Sequence, residues 1–199
     1  MPVLVTEDQV LSESADIVDY AEARAPAARR LYPEDHALAE ETRALERDFD
    51  TRLGPHGRRW MYDGIRGQRE LVKRYAPTGV PAWQRLAVPV AAGTVARVID
   101  RYLDITPETV AESLREVRAT FDAVAERLGD GRPYLMGDRF SAADLTFSAL
   151  SAAITMPPQY GVPLPQPEEL PAPMAAVVRE LREHPAGAHA LAMFSKERR

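Results

Sequence analysis

The sequence predicts a mainly α chain: a short α/β unit, a β-hairpin plus one helix within residues 1–25, precedes an all-α bundle over residues 33–199. Three observations carry this. Two short apolar runs, Val3-Leu4-Val5 and Val10-Leu11, flank the polar turn Thr6-Glu7-Asp8-Gln9, which is the pattern of a hairpin. From Pro33 onward every periodic segment has helical spacing, beginning with Leu38, Leu45, Phe49 and Leu53 at intervals of seven, four and four. Thr106, a good cap, and Pro107 at the first helical position open a long amphipathic repeat through Val110, Leu114, Val117, Phe121, Val124 and Leu128.

Taken in order, Ser12 to Tyr20 opens with hydroxyl and acidic residues suited to capping a helix start, and this helix runs to about Arg24. Gly54-Pro55 interrupts or kinks the helix that carries Leu38 to Leu53. A further helix, from about Arg58 to Tyr75, carries Trp60, Met61, Ile65, Leu71 and Val72, and another spans Trp83 to Leu103. The long helix from Thr106 stops at Gly129-Asp130-Gly131. Ser141 then caps a buried helix to Ile154, with Asp144 three residues on completing a capping box. Residues 157–173 hold seven of the 17 prolines, which forbids continuous helix there and predicts a stiff, extended loop. Short helices over Ala172 to Glu183 and Ala186 to Ser195 close the chain.

Composition removes several function classes. With no cysteine, the sequence has no disulfide, thiolate metal site or cysteine nucleophile of its own. A formal charge of −5 argues against a nucleic-acid partner, because phosphate binding needs a basic surface. The seven Lys/Arg residues between Arg52 and Arg74 sit beside the acid-rich segment from Glu34 to Asp50, so they read as a paired or solvated surface. Residues 86–96 form the longest nearly apolar run, about half of the ~20 residues a membrane span needs, and no secretory signal opens the chain, so the expected location is the cytoplasm. His36, His56, His184 and His189 are scattered and predict no metal site. No nucleophile elbow, phosphate loop or dinucleotide-binding glycine motif is present.

Two motifs carry more information. Glu13 and Ser14 stand at a helix start, where unpaired N–H groups and the positive dipole end attract a carboxylate. The Ser14 hydroxyl adds a donor and Glu13 offers a carboxylate to an ammonium group, so the pair complements a zwitterionic amino-acid end. The bland alternative is that Ser12, Glu13 and Ser14 only cap the helix. The second motif, Pro133-Tyr134-Leu135-Met136-Gly137-Asp138-Arg139-Phe140-Ser141-Ala142-Ala143-Asp144, joins a loop to the capping-box helix. It speaks for fold rather than chemistry, since Ser141 and Asp144 satisfy backbone donors.

With Met1-Pro2-Val3-Leu4-Val5 at one end and this late motif at the other, the chain resembles a bacterial-type cytosolic glutathione S-transferase over essentially its whole length. The resemblance implies a partial thioredoxin-like domain over residues 1–25 and the family's all-α C-terminal domain over 33–199. It implies a cis proline at Pro2, a backbone at Val3 that pairs with the cysteinyl part of glutathione, and a Glu13-Ser14 pair that holds the γ-glutamyl end. By the same resemblance Trp60 and Tyr62 are candidates for the hydrophobic-substrate pocket, although aromatic residues at helical positions also serve as core. The expected partners are glutathione as co-substrate, a small hydrophobic electrophile and a second copy of the chain in a homodimer, without metal.

The family's strand-helix-strand ahead of the cis proline, which carries the residue that stabilises the glutathione thiolate, has no counterpart in the sequence. The expectation is therefore of a chain that starts inside the domain, with its catalytic residue unknown. Without a stabilising donor a thiol with pKa near ~8.5 is mostly protonated at neutral pH. The reading from resemblance is a transferase that conjugates glutathione in its complete form; the alternative is a non-catalytic binding or interaction module.

Overall fold

The computed structural model describes residues 3–75, 98 and 101–198. Strands β1 (Leu4–Val5) and β2 (Val10–Leu11) pair antiparallel, Leu4 opposite Leu11 and Val5 opposite Val10, and form a two-stranded sheet. Helix α1 (Ser14–Glu22) follows directly and contacts β2. The helical body comprises α2 (His36–Asp48), α3 (Gly54–Ile65), α4 (Arg69–Tyr75), α5 (Pro107–Leu128), α6 (Ala142–Thr155), α7 (Ala172–Glu183) and α8 (Pro185–Lys196).

α6 sits at the centre because it is apolar almost all round, as Ala142, Ala143, Phe147, Ala152 and Ile154 are all buried. It packs against α2, α3, α7 and α8, while α5 packs on α3 and α8. Phe147 is the hinge of the core: its ring lies 5.3 Å from Phe49 and 5.5 Å, edge-on, from Phe121. Gly57 brings α3 close to α6, since a side chain there would meet Ile154 Cδ1 at 2.8 Å. By contrast, no residue of β1, β2 or α1 is buried.

The Ser141 capping box forms as the sequence predicts, and it is tied to more than its own helix. Asp144, fully buried, takes the Ser141 N–H (3.0 Å) and hydroxyl (2.6 Å) on Oδ2 and the Leu135 N–H (2.8 Å) on Oδ1, which also meets His189 Nε2 of α8 at 2.9 Å. One carboxylate thus joins the start of α6, the 134–137 turn and the last helix. At the other end of α6, Met156 adopts φ 46°, and Arg182 donates to the Thr155 and Met156 carbonyls, both at 2.6 Å.

Two helix boundaries differ from the sequence reading. The chain does not break at Gly54-Pro55: residues 36–65 run as helix throughout, with a π turn over Phe49–Leu53. In that turn the Gly54 N–H reaches the Phe49 carbonyl, and Pro55 falls in the first turn of α3, where its missing N–H costs little. The break lies instead at Gly67, whose φ of 78° only glycine adopts freely, and it divides the expected Arg58-to-Tyr75 helix into α3 and α4. The helix expected from Trp83 to Leu103 falls mostly outside the described residues; Val98 and 101–103 are helical. The proline-rich loop is interrupted by a 3₁₀ turn, Pro167–Glu169. No helix among the described residues is long and apolar enough to cross a membrane, and none of their His, Cys, Asp and Glu groups forms a cluster of three able to hold a metal.

Candidate functional site

Three of the four glutathione candidates, Val3, Glu13 and Ser14, lie on the hairpin–α1 unit. Thr6 closes the turn: its hydroxyl accepts from the Gln9 N–H at 3.1 Å and donates to the Gln9 carbonyl at 3.1 Å. This fixes the register, whose last pair, Leu4 opposite Leu11, lies one residue from Val3 and two from Glu13. Glu13 is the N-cap of α1, with extended φ and ψ of −96° and 138°, yet it makes no side-chain cap bond. The caps predicted from Ser12 to Ser14 therefore do not form. The first-turn N–H groups of α1 have no side-chain acceptor among the described residues, and Glu13 and Ser14 are exposed beside them. Asp16 adds a second carboxylate in this turn, so the site is of mixed charge, with backbone donors and a hydroxyl facing two acids. Pro2, the fourth candidate, lies outside the described residues.

The hairpin is amphipathic in a way that leaves one face bare. Leu4 and Leu11 share the half-buried side, while Val3, Val5 and Val10 are 61%, 70% and 64% exposed. With so little apolar burial, polar contacts attach α1 to the body. The Glu22 carboxylate accepts the Leu31 N–H at 2.8 Å, and Asp19 pairs with Arg43 of α2 at 3.1 Å. The Arg43 guanidinium lies 4.1 Å over the Tyr32 ring, and the Tyr32 hydroxyl donates to Glu46 at 2.8 Å. Burial pushes the Glu46 carboxyl above its ordinary value, against the pull of the Tyr32 hydroxyl and Arg43. Burial and the Glu46 carboxylate together raise the Tyr32 phenol. The sequence reading missed Asp19, Glu22, Tyr32, Arg43 and Glu46, because each finds its partner across a loop or on another helix.

The two pocket candidates sit on one helix but do not face the same way. Two residues apart on a helix, Trp60 and Tyr62 point about 200° apart. Trp60, 7% exposed, is part of the buried cluster of the body, and Tyr62 is half-buried. Ion pairs hold Arg52, Lys73 and Arg74 of the basic stretch around them: Arg52 meets Glu116 at 3.1 Å and Asp48 at 3.6 Å, Lys73 meets Glu70 at 2.7 Å, and Arg74 meets Glu169 at 2.6 Å. His56 Nδ1 lies 3.1 Å from the Ser113 hydroxyl, which in turn donates to the Thr109 carbonyl at 2.7 Å. That hydroxyl proton is committed, so the pair is not an activated nucleophile; burial and then Arg59 hold the imidazole below its ordinary pKa.

Residues 107–155, which hold α5 and all of α6, match the family model for the glutathione S-transferase C-terminal domain. No curated protein matches the chain. Among solved structures, a glutathione S-transferase from Legionella pneumophila aligns with TM-score 0.48 and 18% identity, over 95% of this chain and 79% of that one. A glutathione S-transferase from Methylobacterium radiotolerans, solved in complex with glutathione sulfonate, aligns with TM-score 0.45 and 18% identity, over 96% and 71%. The chain is mainly α, with a two-stranded hairpin and α1 ahead of the helical body, and its similarity to the glutathione S-transferase C-terminal domain lies in residues 107–155.

Proposed function

We propose that this chain binds glutathione on its hairpin–α1 unit and, as a glutathione transferase, directs the thiolate onto a hydrophobic electrophile. The observation that carries the binding site is the bare N-terminus of α1: an exposed hydroxyl and a carboxylate flank backbone donors that the protein's own side chains leave uncapped. A glutathione γ-glutamyl end would set its carboxylate on those donors and the Ser14 hydroxyl, and its ammonium on Glu13. The Val3 backbone, just ahead of β1, would hold the cysteinyl part, with Pro2 shaping its approach.

In the reaction the thiol loses its proton, the thiolate sulfur forms a bond to an electrophilic carbon, and the displaced electron pair leaves with the leaving group or is protonated. Val3, Glu13 and Ser14 bind and orient in this scheme, and none of them takes the thiol proton. Trp60 and Tyr62 are the proposed electrophile side, with their opposite orientations leaving one of them to line the pocket. The proposed working form is a cytoplasmic homodimer, and residues 1–25 and 33–199 are the proposed domains. The bare Val3, Val5 and Val10 face favours a second reading, a non-catalytic module that associates through its hairpin.

Calorimetric titration with glutathione tests the first reading. Saturable binding by the wild-type chain, lost in the Glu13→Ala, Ser14→Ala double variant, is the expected result. A folded wild-type chain that takes up no glutathione overturns it and leaves the interaction module.

A further inference from the structure

We propose that α4 is a hinged strap, with its hinge at the Arg66–Gln68 turn and its fastener at the Glu169 carboxylate. The hinge is set by Gly67, at φ 78°, and among the described residues no atom beyond its chain neighbours lies within 4 Å of where a side chain on Gly67 would point. The turn can therefore change its angle without a collision on that side. α4 has no buried residue, and Leu71 is its packed contact with the core among the described residues. Its Lys73–Glu70 pair is internal and holds it to nothing else.

Among the described residues, one side chain outside α4 takes both polar contacts from the Tyr75 end of the helix. Glu169 takes Arg74 Nη1 on Oε1 at 2.6 Å, and the Tyr75 hydroxyl on Oε2 at 2.7 Å. The receptor side of this contact is stiff. Glu169 Oε2 also accepts the Gln166 N–H at 2.9 Å, closing a capping box on the 3₁₀ turn, and Pro163, Pro165, Pro167 and Pro171 restrict the backbone around it. Gln166 is itself held by Arg182 at 2.9 Å, and Arg182 is fixed to the end of α6 through Thr155 and Met156. A continuous polar chain thus runs from the end of α6 to Glu169 and stops at α4. With a rigid receptor and a hinged strap, opening breaks at Glu169, and release lifts Leu71 from the apolar surface it covers.

Hydrogen exchange on the full chain tests this independently of glutathione. In wild type, peptides spanning 69–75 are expected to show protection. In Glu169→Gln they should exchange about fivefold faster or more, while peptides from α5 and α6 keep their wild-type rates, as a local opening requires. Should Glu169→Gln prove partly unfolded by its melting curve, Tyr75→Phe, which removes one hydroxyl, takes its place with the same expectation. Three results overturn the strap: α4 amides already exchanging freely in wild type, α4 rates unmoved by the substitution, or an acceleration that spreads equally to α5 and α6.

Discussion

Arg182 shows how much one side chain can hold in this chain. The last carbonyls of a helix lack partners within it, and those of α6 lie in the interior, where an unmet acceptor is costly. Arg182 Nε serves the Thr155 carbonyl, and its Nη2 serves the Met156 carbonyl and the Gln166 side chain, so the fork meets three acceptors. Burial lowers the pKa of this guanidinium, yet a group of this basicity stays charged, and its charge suits the negative end of the helix. Arg182→Ala should therefore lower stability by about 2–3 kcal/mol, the cost of orphaned acceptors bound to a charged donor. Arg182→Lys should recover only part of this, because one ammonium cannot span the fork. Urea unfolding with an unchanged slope measures both, and an Ala variant within about 0.5 kcal/mol of wild type would sink the assignment.

At the scale of helices, the question is which close approaches have room to give. A side chain at Gly187, in the first turn of α8, would overlap the Leu181 carbonyl oxygen near the end of α7, and backbone cannot step aside without moving a helix. The nearest atoms to a side chain at Gly64 would all belong to the Met174 side chain, Sδ at 2.6 Å, Cε at 3.0 Å and Cγ at 3.2 Å, and an unbranched thioether can swing away. Gly187→Ala should thus cost about 3 kcal/mol, at the upper end for overpacking. Gly64→Ala should be near neutral, since helix propensity returns up to about 1 kcal/mol. Equal melting temperatures for the two variants would contradict this reading of the α7–α8 corner. The same scale shows what was legible beforehand. The hairpin, α5, the Ser141–Asp144 box and the two C-terminal helices announce themselves through local spacing and caps. At Gly54-Pro55 the helix continues rather than breaks, because a π turn has already displaced the bonding pattern where the proline needs no donor. Gly67 was overlooked because one glycine inside a periodic run declares its left-handed φ only in the folded chain. In the candidate site, Glu13 and Ser14 could be read from a local motif, and Val3 from the apolar run of the first strand. The Asp19–Arg43 and Tyr32–Glu46 contacts could not, because they depend on how α1, the connecting segment and α2 come together.

Across the whole molecule, those contacts make the link between the short α/β unit and the helical body sensitive to charge. Titration there runs against that of the exposed acids. Arg132 holds the Asp130 carboxyl down at about 2, and Glu180 and Glu169 are also lowered, by Arg118 and by the Gln166 N–H respectively. Such groups support the fold above their ordinary values, and their support is lost as pH falls through the folded ones. Glu46 is raised by burial, so the folded chain keeps its proton to higher pH than the unfolded chain does. Its contribution is complete below the ordinary glutamate value and is lost as pH rises through the folded value. Replacing Glu46 with Gln keeps an oxygen to accept the Tyr32 hydroxyl and removes the titration. The variant should gain on wild type between about pH 4 and pH 7, by less than about 1 kcal/mol for a half-exposed group in screening solvent. Urea midpoints of both proteins at the two pH values decide the matter. A stability difference that closes or reverses in the variant's favour at pH 7 places an unfavourable buried charge at the junction, whereas parallel profiles would mean that Glu46 is as well solvated in the folded chain as in the unfolded one.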